Sequence, residues 1–158
     1  MKTLVAGIGN IFNRDDGFGC EVARHLLAGP LPADVVVVDY GIRGLHLALD
    51  LLDGVDLLVL VDAMATSDVP GTVCVVEPDP EGVGGEPLDA HRMDPHAVLR
   101  MVAELGGEVG RVVVVGCHPA DIGEGIGLSP VVAAAVEPAV RVVRDFLAER
   151  NDQCSVAS

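Results

Sequence analysis

Residues 3–27 read Thr3-Leu4-Val5-Ala6, then Gly7-Ile8-Gly9-Asn10-Ile11-Phe12-Asn13-Arg14-Asp15-Asp16-Gly17, then Phe18-Gly19-Cys20-Glu21-Val22-Ala23-Arg24-His25-Leu26-Leu27. The first four form a continuous run, rich in β-branched and apolar residues, as expected of a strand buried on both faces. In the last ten, Phe18, Val22 and Leu26 recur every four residues and so share one helix face. Strand, glycine-bearing loop and helix in this order open a β-α-β unit, and residues 35–38 supply its second strand.

The runs at 57–61 and 112–115 have the same buried-strand character, and 45–52 and 97–105 have helical periodicity. Residues 72–76 make a fifth strand, reached through a Pro70-Gly71 turn, which is free to lie antiparallel beside its predecessor. A last helix opens at Ser129-Pro130, a side-chain cap followed by the residue tolerated at the first helical position. Its inward face is Val132, Val136, Val140, Val143 and Leu147, and Pro138 should kink or break it. The expected fold is therefore α/β, a three-layer α/β/α sandwich with an open, mostly parallel twisted sheet of about five strands. Residues 1–150 read as one domain, and 151–158, polar and without period, as a disordered tail. Two long loops, 77–95 and 119–128, are functional or mobile according to where they fall.

The chain has 158 residues, half of them apolar, which suits one substantial core. Its net charge is -14 and its aromatics are only Tyr40 and three phenylalanines. Nucleic acid and anionic membrane are poor partners for such a surface. The four cysteines, Cys20, Cys74, Cys117 and Cys154, form neither a C-x-x-C pair nor a disulfide scaffold, so a reducing compartment is expected. The amino-terminal apolar stretch is too short for a signal peptide and no run approaches a membrane span. A cytoplasmic protein is expected, and nothing in the pattern demands more than a monomer.

Ligands of open α/β sheets bind beyond the carboxyl ends of the strands. Asp15 and Asp16 follow the first strand, Asp39 ends the second and Asp62 the third, so acids collect at that edge. They repel unless a cation or proton sits among them. His91 and His96 lie in or just after the loop that returns to the same edge, and His118 ends the last strand. Two carboxylates and an imidazole form a mixed oxygen and nitrogen set suited to a divalent metal such as nickel or zinc. The rival reading is a dinucleotide site, because Gly7-x-Gly9 follows a strand and Asp39 ends the next. Against it, Phe12 replaces the third glycine and paired acids stand where a pyrophosphate needs positive potential. No Ser-His-Asp order, nucleophile elbow or activated cysteine motif is present, so no covalent acyl-enzyme is expected.

Gly7-Ile8-Gly9-Asn10 with Asp15-Asp16-Gly17-Phe18-Gly19, Asp39-Tyr40-Gly41-Ile42-Arg43-Gly44, Val61-Asp62-Ala63, Gly116-Cys117-His118-Pro119 and Gly125-Ile126-Gly127-Leu128-Ser129-Pro130 together carry a resemblance. The sequence resembles the nickel-iron hydrogenase maturation endopeptidases along nearly its whole length. That resemblance implies removal of a carboxyl-terminal extension from a hydrogenase large-subunit precursor after nickel insertion. It also implies that Asp16, Asp62 and His91 are the metal-binding and catalytic residues, completing the coordination of nickel that arrives on substrate thiolates. His91 is favoured over His96 because Val98-Leu99 and Val115-Gly116 then fall at the family's offsets. Asp16 stands where relatives often have Glu, His118 where an acidic or apolar residue is common; Asp15 reads as a helix cap and Asp39 as a supporting residue. A nickel-binding escort without hydrolysis is the alternative within the same resemblance.

Overall fold

The structure, a computed structural model, describes residues 1–65, 69–78 and 95–156, and of 151–156 the backbone alone. Strand β1 (Thr3–Ile8) leads through a short 3₁₀ turn, Arg14–Gly17, into helix α1 (Phe18–Leu27) and strand β2 (Val35–Gly41). Helix α2 (Gly44–Leu51), strand β3 (Val55–Ala63) and strand β4 (Val73–Val76) follow. Helix α3 (Pro95–Glu104), strand β5 (Val109–Cys117), helix α4 (Pro130–Ala133) and helix α5 (Val136–Val156) complete the chain.

The strands form one sheet in the order β2-β1-β3-β5-β4, parallel except for the antiparallel β4–β5 pair. Every residue of β1 is buried, whereas the edge strand β2 alternates and leaves Val36 half exposed. This is the expected difference between a central and an outer strand. Alternate side chains divide the core: Val59, Val61 and Val113 face Phe18, Val22 and Val143 of α1 and α5. Leu58, Leu60 and Val114 face Leu47, Leu51, Val98 and Val102 of α2 and α3. Helix, sheet and helix thus form the three layers.

Several expectations shift by what lies next to them in space. Strand β4 is antiparallel, but its partner is β5 and not its predecessor β3, because β5 inserts between them and pairs with β3 from Val55↔Val109 to Ala63↔Cys117. The last helix does break, at Ala134 and Ala135, and Pro138 becomes the third residue of α5. There its missing N–H needs no partner, while its ring would have clashed with the Ala134 carbonyl of an unbroken helix. The five apolar residues assigned to the inward face are all buried. Helix α5 runs on to Val156, so residues 151–156, expected as tail, are helical. A formed helix propagates at a cost of less than about 1 kcal/mol per poor residue, and no Gly or Pro interrupts this stretch.

A close backbone contact joins α1 to the sheet. A Cβ placed on Gly19 would lie 2.1 Å from the Val61 carbonyl oxygen and 2.4 Å from that of Ile8. One placed on Gly7 would lie 2.3 Å from the Gly19 oxygen. Gly19→Ala is expected to destabilise by at least ~3 kcal/mol, since backbone must retreat to admit the methyl. The urea-unfolding midpoint measures it, and an unchanged midpoint would contradict this packing.

Candidate active site

The order of the strands decides where a site can open. Asp39 and Val61 both register with Gly7, on either side of β1, so β1, β2 and β3 end together at the carboxyl edge. From β1 the chain crosses by α1 to β2 on one side, and from β3 it passes to β4 and β5 on the other. Neighbouring parallel strands whose connections leave in opposite directions mark the switch point of such sheets, where a ligand crevice is expected.

Asp16 stands on the β1 side of that crevice, in the 3₁₀ turn that packs against β3. Its carboxylate accepts the Asn10 N–H at 2.9 Å, which fixes it relative to the end of β1. Asp62 stands on the other side, second from the end of β3 and 8% exposed. Asp39 lies near the end of β2, and the charges of both Asp39 and Asp62 reach the Cys20 thiol of α1. Among the described residues no group of three or more His, Cys, Asp or Glu side chains is arranged to hold a metal.

His91 lies outside the described residues. His96 is the second residue of α3. The four residues from the end of α3 to Val109 put the carboxyl end of that helix at the amino edge of the sheet, so α3 begins toward the edge that carries Asp62. His118 has its backbone in the β4–β5 end, its N–H donating to Thr72 at 3.1 Å. His25 bridges α1 and α5, with Nδ1 3.1 Å from Glu137 and Nε2 3.2 Å from Glu21.

Asp15 is not a helix cap. It is fully buried, and its carboxylate accepts the N–H groups of Ala120, Asp121 and Ser129 and the Ser129 hydroxyl, at 2.7–2.9 Å. Ser129 in turn makes no side-chain cap for α4, because its hydroxyl is turned to Asp15. The loop before α4 is thereby tied to the loop after β1, and Arg14, at φ 50°, donates its N–H to Gly125 at 3.0 Å while Gly125 donates to Phe12 at 2.8 Å. A non-glycine residue in the left-handed region is uncommon and persists where its surroundings over-determine it. Between the two Gly residues at positive φ, Gly125 and Gly127, Ile126 stands 78% exposed.

Two clefts meet at Ile11, Cys20 and Asp39: one of about 270 Å³ toward Tyr40 and Arg43, one of about 650 Å³ between α1 and α5. Burial first, then the Asp39 carboxylate beside it, push the Cys20 thiol up to about 12. Burial likewise pushes Cys117 up to about 11. Thiols held protonated in this way are poor nucleophiles, and both fit the expected role of small core residues. The loop that suggested a dinucleotide site has its amides engaged already: Gly9 N–H with Gly41, Asn10 N–H with Asp16, Phe12 N–H with the Asn10 side chain. A pyrophosphate would find few donors there.

Comparison with known proteins bears on this edge. Residues 20–145 match the family described as hydrogenase maturation protease. The hydrogenase expression/formation protein HupD of Rhizobium leguminosarum bv. viciae is 33% identical over 153 residues, 92% of this chain and 75% of that protein. The hydrogenase maturating endopeptidase HybD from E. coli superposes with a TM-score of 0.81 at 28% identity, covering 95% of this chain and 94% of that one. A hydrogenase 2 maturation peptidase from Thaumarchaeota archaeon SCGC_AB-539-E09 superposes at 0.74, with 28% identity over 94% and 99% of the two chains.

Burial by itself would raise the Asp15 pKa, but the hydrogen bonds from Ser129, Asp121 and Ala120 outweigh it and hold the group below its ordinary 3.8. A depressed folded pKa contributes stability that is complete above the unfolded value and fades as pH falls through the folded one. Asp15→Asn should cost about 3 kcal/mol at neutral pH, with the gap to wild type narrowing below about pH 4. Unfolding midpoints across an acid series test this, as does faster amide exchange at Ala120, Asp121 and Ser129. A gap independent of pH would contradict it.

Proposed function

The chain belongs to the hydrogenase maturation protease family and is a peptidase, and from that premise we propose that it removes the carboxyl-terminal extension of a nickel-iron hydrogenase large-subunit precursor after nickel insertion. The observation that carries the reading is the placement of Asp16 in the turn after β1, packed against β3, and of Asp62 near the carboxyl end of that neighbouring strand. Nickel is the substrate's cargo in this reading, held on precursor thiolates and completed by Asp16, Asp62 and His91. Hard carboxylate oxygens and an imidazole suit a divalent ion of this kind. Such an ion supplies a Lewis acid beside the scissile carbonyl.

The chain's own residues then position the reacting groups. The Asn10 N–H orients the Asp16 carboxylate, and the nearly complete burial of Asp62 limits competing water around it. Recognition and hydrolysis are coupled because both need the loaded metal, so an unloaded precursor is passed over. Asp39, at the junction of the two clefts, is assigned the shaping of the substrate path. The remaining features are proposed with the function: one domain, a monomer and a cytoplasmic location. Among the described residues no helix is long and apolar enough to cross a membrane.

The test is the intact mass of a candidate precursor, nickel-loaded or nickel-free, after incubation with the protein. Loss of a discrete carboxyl-terminal peptide from the loaded form alone is expected. Metal-dependent complex formation with an unchanged precursor mass would replace the protease reading by that of an escort. Asp62→Ala and His91→Ala should each lower processing by at least ~10³-fold with the fold intact, as for loss of a group that acts on the transition state. A His91→Ala variant that cleaves at the normal rate would remove that assignment, and loss in His96→Ala alone would transfer it.

A further inference from the structure

Helix α2 is apolar on both sides. Leu47, Ala48 and Leu51 are fully buried against the sheet and α3. On the opposite side Leu45 is 58% exposed, Leu49 48% and, one residue past the helix, Leu52 38%. Their spacing of four and three puts them on one stripe, about 10 Å long at the rise of a helix. A helix that faces water on one side ordinarily carries polar residues there. Ile42, three residues before Leu45 and 68% exposed, carries the stripe up to the carboxyl edge, where it lines the smaller cleft with Ile11 and Phe12. A contiguous exposed apolar surface of this kind marks an interaction site more often than an accident of composition.

Resting on the function proposed above, we infer that this stripe docks the body of the hydrogenase large-subunit precursor, through an apolar surface on the precursor outside its cleaved tail. Continuity with the active edge argues for that occupant. A protein lying along α2 meets the cleft at Ile42, beside Asp39 and Arg43. The stripe also continues down the helix, away from the cleft, where a tail threaded through the edge would leave Leu49 and Leu52 bare. A second copy of this chain on the same stripe would cover Ile42 and obstruct the cleft that a polypeptide substrate has to enter. Docking therefore acts in precursor binding and leaves the hydrolytic groups untouched.

The test measures two quantities on nickel-loaded precursor, its affinity by calorimetry and its rate of tail release at saturating precursor. Leu45→Asp and Leu49→Asp each change a side chain that is about half exposed, so their urea midpoints should match wild type. Leu27→Asp, equally exposed at the far end of α1, is the control. Each stripe variant should weaken precursor binding by at least about tenfold, with the saturated rate kept within about twofold and the control unchanged. Unchanged affinity in both variants overturns the inference, whatever the cleavage rate. Unchanged affinity with loss of wild-type self-association, read by sedimentation, assigns the stripe to a second copy instead. A wild-type protein that binds precursor without releasing its tail refutes the peptidase assignment for that precursor, while the affinities of the two variants still decide the docking surface.

Discussion

The close approach of Gly19 to the carbonyl oxygens of Ile8 and Val61 is the constraint on which the rest of this molecule depends. Any side chain there would lift α1 from the sheet, and with it the 3₁₀ turn that carries Asp15 and Asp16. The turn is reached from the same residue in the other direction, since Gly7 packs on Gly19 and Gly9 would place a Cβ 1.8 Å from the Asp16 carbonyl oxygen. Three glycines thus serve packing of backbone on backbone. A phosphate-binding loop would use its glycines to admit a ligand, and that difference separates the two readings of the same G-x-G.

Once the turn is seated, Asp15 transmits its position to a distant part of the chain. A buried carboxylate with four donors is stable because each lone pair that burial strips of water finds an N–H or O–H in exchange. The loop before α4 is held rigid by that exchange and by the reciprocal Arg14, Phe12 and Gly125 bonds. Neighbouring acids in one turn so acquire opposite tasks. Asp15 is consumed by structure, and Asp16, which among the described residues accepts the Asn10 N–H, keeps acceptor capacity for something else.

Division of labour recurs along the carboxyl edge. Asp16 and Asp62 stand on the neighbouring β1 and β3 sides of the switch point, while Asp39, near the end of β2, borders both clefts. The apolar surface of α2 begins at that same edge. Chemistry at the strand ends and recognition along a helix are joined through Ile42, which belongs to both the cleft and the stripe.

From the sequence by itself came the identity and approximate extent of the five strands and of the helices at 18–27, 45–52 and 97–105. These depend on local periodicity, which neighbours in the chain set on their own. The carboxyl-edge placement of Asp16 and Asp62 followed as well, because an α/β alternation puts the loops after its parallel strands on one edge. Tertiary contacts alone set the pairing of β4 with β5 and the hydrogen bond between Asp15 and Ser129, 114 residues apart. Each of these turns on which segments meet, and contacts made across long separations leave no period in the chain that a local reading can detect.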